Sequence, residues 1–173
     1  TILELRAHRN LHINKAITAV NGHLRLNAVR EVTADGAIDT ASFALLRGTW
    51  KQLGPELPDF DTGIFYISTA NSTFIRAIGG SGATTDPYQL TDIYGVQGIA
   101  SHNLLTKSFV LANDINASGT INWAGGAGFV PISDNYNYFT GNFSGQDHVI
   151  RDLYIFRPTW TNVGLFGRAD PGS

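Results

Sequence analysis

A 21-residue internal repeat opens the chain and limits its fold more than any other feature does. Leu3 returns as Leu24, Leu5 as Leu26, Ala16 as Ala37 and Ile17 as Ile38, each 21 positions on. A third start follows at Ser42-Phe43-Ala44-Leu45. Inside each unit apolar residues alternate with polar ones (Leu3, Leu5; Leu11, Ile13; Leu24, Leu26), the period of half-buried strands. Asn10, Asn14, Asn21-Gly22 and Asp35-Gly36 fall between these strands as turn formers. A unit this short cannot close a core alone, so it must stack on its neighbours as one coil of a parallel β-helix. The competing arrangement is an antiparallel meander turning at Asn21-Gly22.

The repeat divides the chain into three stretches. Residues 1–47 are expected to form β-helix coils. Between 48 and 98, Gly48-Thr49-Trp50, Gly54-Pro55, Leu57-Pro58, Gly79-Gly80-Ser81-Gly82 and Asp86-Pro87 interrupt the rhythm with turn chemistry. This stretch is expected to leave the coils as an extra-helical excursion seated by Trp50, Phe60, Phe65 and Phe74, with a mobile tip at 79–86. From 99 to 173 the coils are expected to resume, because strand patterning returns at Phe109 to Ala112, Ile115, Phe139 to Phe143 and Val149 to Ile155. No segment sustains an i, i+3, i+4 apolar pattern, which makes the fold class all-β.

Composition excludes several functions. A formal charge of −2 and a charged fraction of 15% give no strong basic field, so neither nucleic acid nor an anionic membrane is an expected partner. The absence of Cys removes disulfides, thiolate metal sites and Cys nucleophiles. No run approaches the roughly 18 apolar residues of a membrane span, so insertion is not expected. The chain does not start with Met and has no basic n-region, which leads us to expect a processed piece whose export signal lies upstream. Abundant Asn, Thr and Gly with little charge suit an extracellular β-protein.

The run Phe139-Thr140-Gly141-Asn142-Phe143-Ser144-Gly145-Gln146-Asp147-His148-Val149-Ile150-Arg151-Asp152-Leu153-Tyr154-Ile155, followed by Val163-Gly164-Leu165-Phe166-Gly167, resembles the GLUG-type repeat of bacterial adhesins, at about 139–167. Leu111 to Ser118, with Asn122-Trp123 and Gly128 to Ile132, resembles the segment that precedes such repeats in filamentous-haemagglutinin-like exoproteins. Pro87 to Ile99 resembles their linking motif. The departures are Ser144 and Asp147, where this repeat more often has Asp and Gly, and looser turns are expected there. The resemblance implies a right-handed parallel β-helix exported through an outer-membrane two-partner-secretion transporter, and a location at the bacterial surface or outside the cell. It also implies a structural and adhesive role, with a host or neighbouring-cell protein or glycan as partner. In the motif, Gly141 and Gly145 are expected at coil corners, with Phe139, Phe143, Val149, Ile150, Leu153 and Ile155 pointing inward.

Candidate chemistry is sparse. His8 and His12 stand four apart, yet no Glu follows the first and Arg9-Asn10 reads as a turn, so no metal site is expected. Asp59, Asp61, Asp86, Asp92 and Asp114 are the carboxylates available for acid–base work, but they sit mostly beside turn residues. Ser81 lacks the strand-to-helix context of a hydrolase nucleophile, and its glycine cluster lacks the Lys of a phosphate loop. No catalytic residue and no cofactor is therefore expected. The partner-binding candidates are the aromatics Trp123, Tyr136, Tyr138 and Trp160. Asn71, Asn116 and Asn142 open glycosylation tripeptides. The alternatives to an adhesive segment are a receptor for a host haem carrier and a polysaccharide-cleaving β-helix.

Overall fold

The computed structural model describes residues 1–134 and 136–169, and they form a parallel β-solenoid of about five coils. The end of the third stretch, residues 170–173, lies outside the described residues. The first coils comprise β1 (Ile2–Ala7), β2 (Leu11–Ile13), β3 (Ile17–Ala34), β4 (Ile38–Leu53), β5 (Phe60–Ile67) and β6 (Ser72–Ala77). Every pairing among these six strands is parallel, which rules out the meander. The 21-residue repeat is the coil itself: Leu3 lies on Leu24 and Leu5 on Leu26 in β1 and β3. The third start also lies in register, with Leu24 on Phe43 and Leu26 on Leu45.

Stacking like on like builds the core. Leu24, Phe43 and Phe65 form one column, Val32, Trp50 and Phe74 another, and Ile38 and Phe60 a third. The Phe43 and Phe65 rings stack at 5.6 Å, and Trp50 and Phe74 at 5.7 Å with planes only 3° apart. Each such pair adds roughly 0.5–1.5 kcal/mol beyond the area it buries. Polar groups that enter this interior are matched along the same columns. The Thr40 hydroxyl donates to Thr62, and the Trp50 indole donates to Gln52 Oε1. Arg76, 6% exposed, donates to Gln52, to the Pro58 carbonyl and, through Nε, to Asp92 Oδ2 at 2.6 Å.

The stretch 48–98 departs from expectation. Instead of leaving the coils, β5 lies in register on the first half of β4 and β6 on its second half. Phe65 and Phe74, expected at the base of an excursion, fill the solenoid core. The Gly and Pro residues mark corners and not an exit, because breakers confined to a corner leave the strands between them free to pair. At one corner Gly48 takes φ +104°, and a Cβ there would stand 2.7 Å from the Arg30 carbonyl oxygen. The 79–86 loop is tied back on itself by Ser81 and Gly82 N–H groups donating to the Asp86 carbonyl. After β7 (Tyr88–Leu90), Asp92 caps a single-turn helix α1 (Ile93–Gly98), accepting from Gly95 N at 2.8 Å.

The coil then lengthens. β8 (Ser108–Leu111) and β9 (Ile115–Asn116) carry β10 (Asn142–Ser144) and β11 (Ile150–Arg151) on top of them. The cross-coil bonds Asn142 to Ser108 and Val149 to Asp114 span 34 and 35 positions. Gly141 is required by close approach, since a Cβ would lie 1.9 Å from the Lys107 carbonyl oxygen. Gly145 stands at a corner, but the positive φ there falls on Gln146 (49°) and Asp147 (63°). Those two residues form the centre of a type I′ turn closed by His148 N donating to the Gly145 carbonyl at 2.8 Å, a tight turn rather than a loose one. Val149, expected inward, is 48% exposed, because its neighbour Ile150 takes the inward place and adjacent strand residues alternate faces.

Candidate functional site

The residues expected to meet a partner separate into two groups. Trp123 is a correction: it is 2% exposed, and its ring packs within 5.3 Å of Phe65 and 5.5 Å of Tyr94. The short turns of Ser118–Gly126 fold the indole inward, where it extends the aromatic column. Its Nε1 is buried with no hydrogen-bond partner among the described residues. Tyr136, by contrast, is 91% exposed, and Tyr138 and Trp160 are 39% and 47% exposed.

Trp160 lies at one end of a groove that follows a single corner of the solenoid, and Tyr136 stands in the turn folded by Asp134 of its lining. Backbone bonds trace the corner from coil to coil. Arg30 N donates to the Arg9 carbonyl, Gly48 N to that of Asn71, and His102 N to that of Thr69. Farther along, Ser133 and Arg168 are joined by hydrogen bonds in both directions. The first section, about 200 Å³, is lined by Arg30, Arg47, Asn71, Thr73, His102 and Asn103 among others. The next, about 210 Å³, shares Thr69 and His102 with it and runs past Pro131, Asp134 and Asn137 to Trp160.

The aromatic end is held rigidly. Arg157 donates to the carbonyls of Phe129 and Gly128, and its guanidinium lies 4.6 Å from the Trp160 ring centre. Burial lowers the Arg157 pKa. Arg168 likewise lies 4.4 Å from the Tyr138 ring. Each cation backs one face of its ring. Asp134 folds the intervening turn by accepting from the N–H groups of Tyr136 and Asn137 at 2.7 and 2.8 Å. Burial raises its pKa, but these bonds and the nearby His102 outweigh burial and the net shift is downward.

The basic end of the groove carries unpaired charge. Several charged side chains on neighbouring coils oppose one another in sign: Glu4 lies on Arg25, Lys51 reaches Glu31 at 3.8 Å, and Arg151 meets Asp114 at 2.7 Å, whereas Asp39 lies on Asp61. A larger groove of about 460 Å³ along Glu31, Asp35, Lys51 and Glu56 has two of its carboxylates paired in this way, His12 standing 3.1 Å from Asp35. Arg30 and Arg47 are exposed, and among the described residues neither has a salt-bridge partner.

Three of the five carboxylates considered for catalysis have local work. Asp61 accepts from the Tyr94 hydroxyl, Asp92 caps α1 and holds Arg76, and Asp114 clamps β9 to β11 through Val149 N and Arg151. His12 bonds Thr33 as well as Asp35, and no group of three His, Asp or Glu side chains suited to a metal occurs among the described residues. Asn71, Asn116 and Asn142 are all exposed; Asn71 lies on the groove, its amide donating to Ser68.

No protein-family model matches this chain, and no solved structure matches it. Over 97 residues, 53% of the chain, it is 38% identical to halomucin of Haloquadratum walsbyi, of which the match covers 1%. Over 89 residues, 51% of the chain, it is 30% identical to a protein of Evansella cellulosilytica described as a Gly-rich membrane protein, of which the match covers 10%. The chain thus spans a small part of the length of these relatives. Among the described residues no helix is long and apolar enough to cross a membrane.

Proposed function

We propose that this chain is a structural and adhesive segment of a large secreted or cell-surface protein. The observation that carries the reading is the combination of a column-stacked solenoid with one groove, running along its axis, that presents the immobilised ring of Trp160 and unpaired cations. A solenoid passes load and position along its axis because each coil contacts only its neighbours. Aromatic rings supply binding area at low entropic cost when they are already fixed, as Trp160 is by Arg157. The two relatives support the reading in another way: this stretch is a small share of each, and their names place one among mucin-like and the other among membrane proteins. The partner is a glycan or protein of a neighbouring cell or host surface.

The test is attachment. Beads coated with the folded chain are expected to adhere to cell layers or extracellular polymer, and free chain is expected to compete them off. Beads that attach no better than beads coated with albumin, across a panel of bacterial and animal cells, would remove the adhesive part of the proposal.

A further inference from the structure

We infer that the corner groove binds an acidic polysaccharide, with Arg30 and Arg47 taking the carboxylate or sulfate groups and Trp160 stacking on a sugar ring. This inference rests on the adhesive reading and names its ligand class. The first argument is the uncompensated charge. Like charges on adjacent strands destabilise a sheet, and several charged rungs of this solenoid match opposite signs, the Asp39–Asp61 rung excepted. Here Arg30 and Arg47 line one groove, no carboxylate lines their section of it, and Arg9 stands on the same corner one coil away. An anion bridging the two guanidiniums removes the repulsion and satisfies planar donors built to bind carboxylate or sulfate in pairs.

Geometry supplies the second argument. The coils repeat every ~4.8 Å along the axis, the spacing of neighbouring strands. Successive residues of an extended uronic-acid or sulfated polymer advance by a comparable step, so charges on a polymer laid along the corner meet Arg30 and Arg47 in succession. The third argument is the neighbouring chemistry. Past His102 the groove offers Asn137 and the carboxylate of Asp134, groups that donate to and accept from sugar hydroxyls, and then the exposed face of Trp160. Asp134 bears negative charge, which places the anionic groups at the Arg30 end and a neutral ring face at the Trp160 end. The net charge of −2 means that attraction must come from this local arrangement and not from the whole surface.

Polygalacturonate, its methyl ester and keratan sulfate, a sulfated glycosaminoglycan without uronate, titrated calorimetrically against the 173-residue chain, test the inference. At least one of the two acidic polymers is expected to bind, and which one identifies uronate or sulfate as the source of the anion. For uronate, the methyl ester, which keeps the backbone and loses the charge, is expected to bind at least about tenfold more weakly. Arg30→Gln with Arg47→Gln is expected to lower affinity at least about tenfold with an unchanged melting temperature, as losing charge-assisted bonds requires. Trp160→Ala is expected to weaken binding to a similar degree, while Arg25→Gln, outside the groove, has no effect. Equal binding of polygalacturonate and its ester, unchanged affinity in the double variant, or equal losses from Arg25→Gln would each overturn the inference. Attachment to cells without binding to either acidic polymer would overturn it and leave the adhesive reading standing; absence of both would overturn the two together.

Discussion

Phe43→Ala removes the ring on which four other core aromatics converge. Phe43 is fully buried, and its ring centre lies 5.1 Å from Phe60, 5.2 Å from Trp50, 5.6 Å from Phe65 and 6.0 Å from Phe74. Withdrawing that side chain from the core forfeits roughly 2–3 kcal/mol of transfer free energy. The lost edge and stacking contacts and the cavity bring the cost to about 3–5 kcal/mol, the range for Phe→Ala in a packed core. For a chain of this size that is a fall in melting temperature of about 6–20 °C. Thermal melts followed by near-ultraviolet circular dichroism, which reports the packed rings, measure it directly. Phe43→Leu, which keeps most of the volume, is expected to cost under about 1.5 kcal/mol. Because Phe43 lies between the coils of Leu24 and Phe65, hydrogen exchange should quicken on both sides of it. A loss below about 1 kcal/mol for Phe43→Ala would refute the stacked-column core.

Further predictions follow from the same structure. Burial raises the Tyr94 pKa to about 12, against its ordinary 10, while Thr62 N donates to its hydroxyl and Asp61 accepts from it. A folded pKa above the unfolded one gives stability that is complete below pH 10 and lost as pH rises toward 12. The loss is roughly 2–3 kcal/mol, and alkaline melts of Tyr94→Phe should lack it. Gly141→Ala drives a methyl group into the Lys107 carbonyl and should lower stability by about 1–3 kcal/mol, read by urea unfolding, with exchange quickened in β10 and β8. Gln146→Val places a β-branched residue at φ 49° and should cost more than about 1 kcal/mol, whereas Gln146→Gly should not destabilise the chain.

Much of the fold is legible in the sequence because the first two coils repeat at 21 residues and the third start, 19 positions after the second, keeps the same alternation. Leu3, Leu5, Leu24 and Leu26 give both the period and the inward face, and Phe43 and Leu45 extend it. The continuation into 48–98 is hidden, because later coils change length at their corners. Phe43 meets Phe65 after 22 positions, whereas Trp50 meets Phe74 after 24. A fixed-period reading therefore loses the rungs where the packing keeps them. Trp123 illustrates a second limit: turn chemistry around it reads as surface, and only the empty space above Tyr94 and Phe65 draws the indole inside. Tyr136, Tyr138 and Trp160 are legible as exposed aromatics. Their relation to Arg30 and Arg47 is not, because the groove is assembled from corners on successive coils. The signal available in sequence is Arg9 and Arg30 at the 21-residue offset, a basic pair at a turn position.

The groove itself can be observed residue by residue. Nuclear magnetic resonance spectra of isotope-labelled chain, titrated with a short oligogalacturonate and in parallel with a sulfated glycosaminoglycan oligosaccharide, report which amides sense the ligand. For the acid the chain binds, shifts are expected to begin at Arg30 and at Arg47 to Thr49, pass through Thr69 to Thr73 and His102, and end at Asn137 and the Trp160 indole. Signals from Glu4, Arg25 and Lys51 should stay in place. Shifts scattered over the strand faces, or none at saturating concentrations of either oligosaccharide, would contradict binding along the groove.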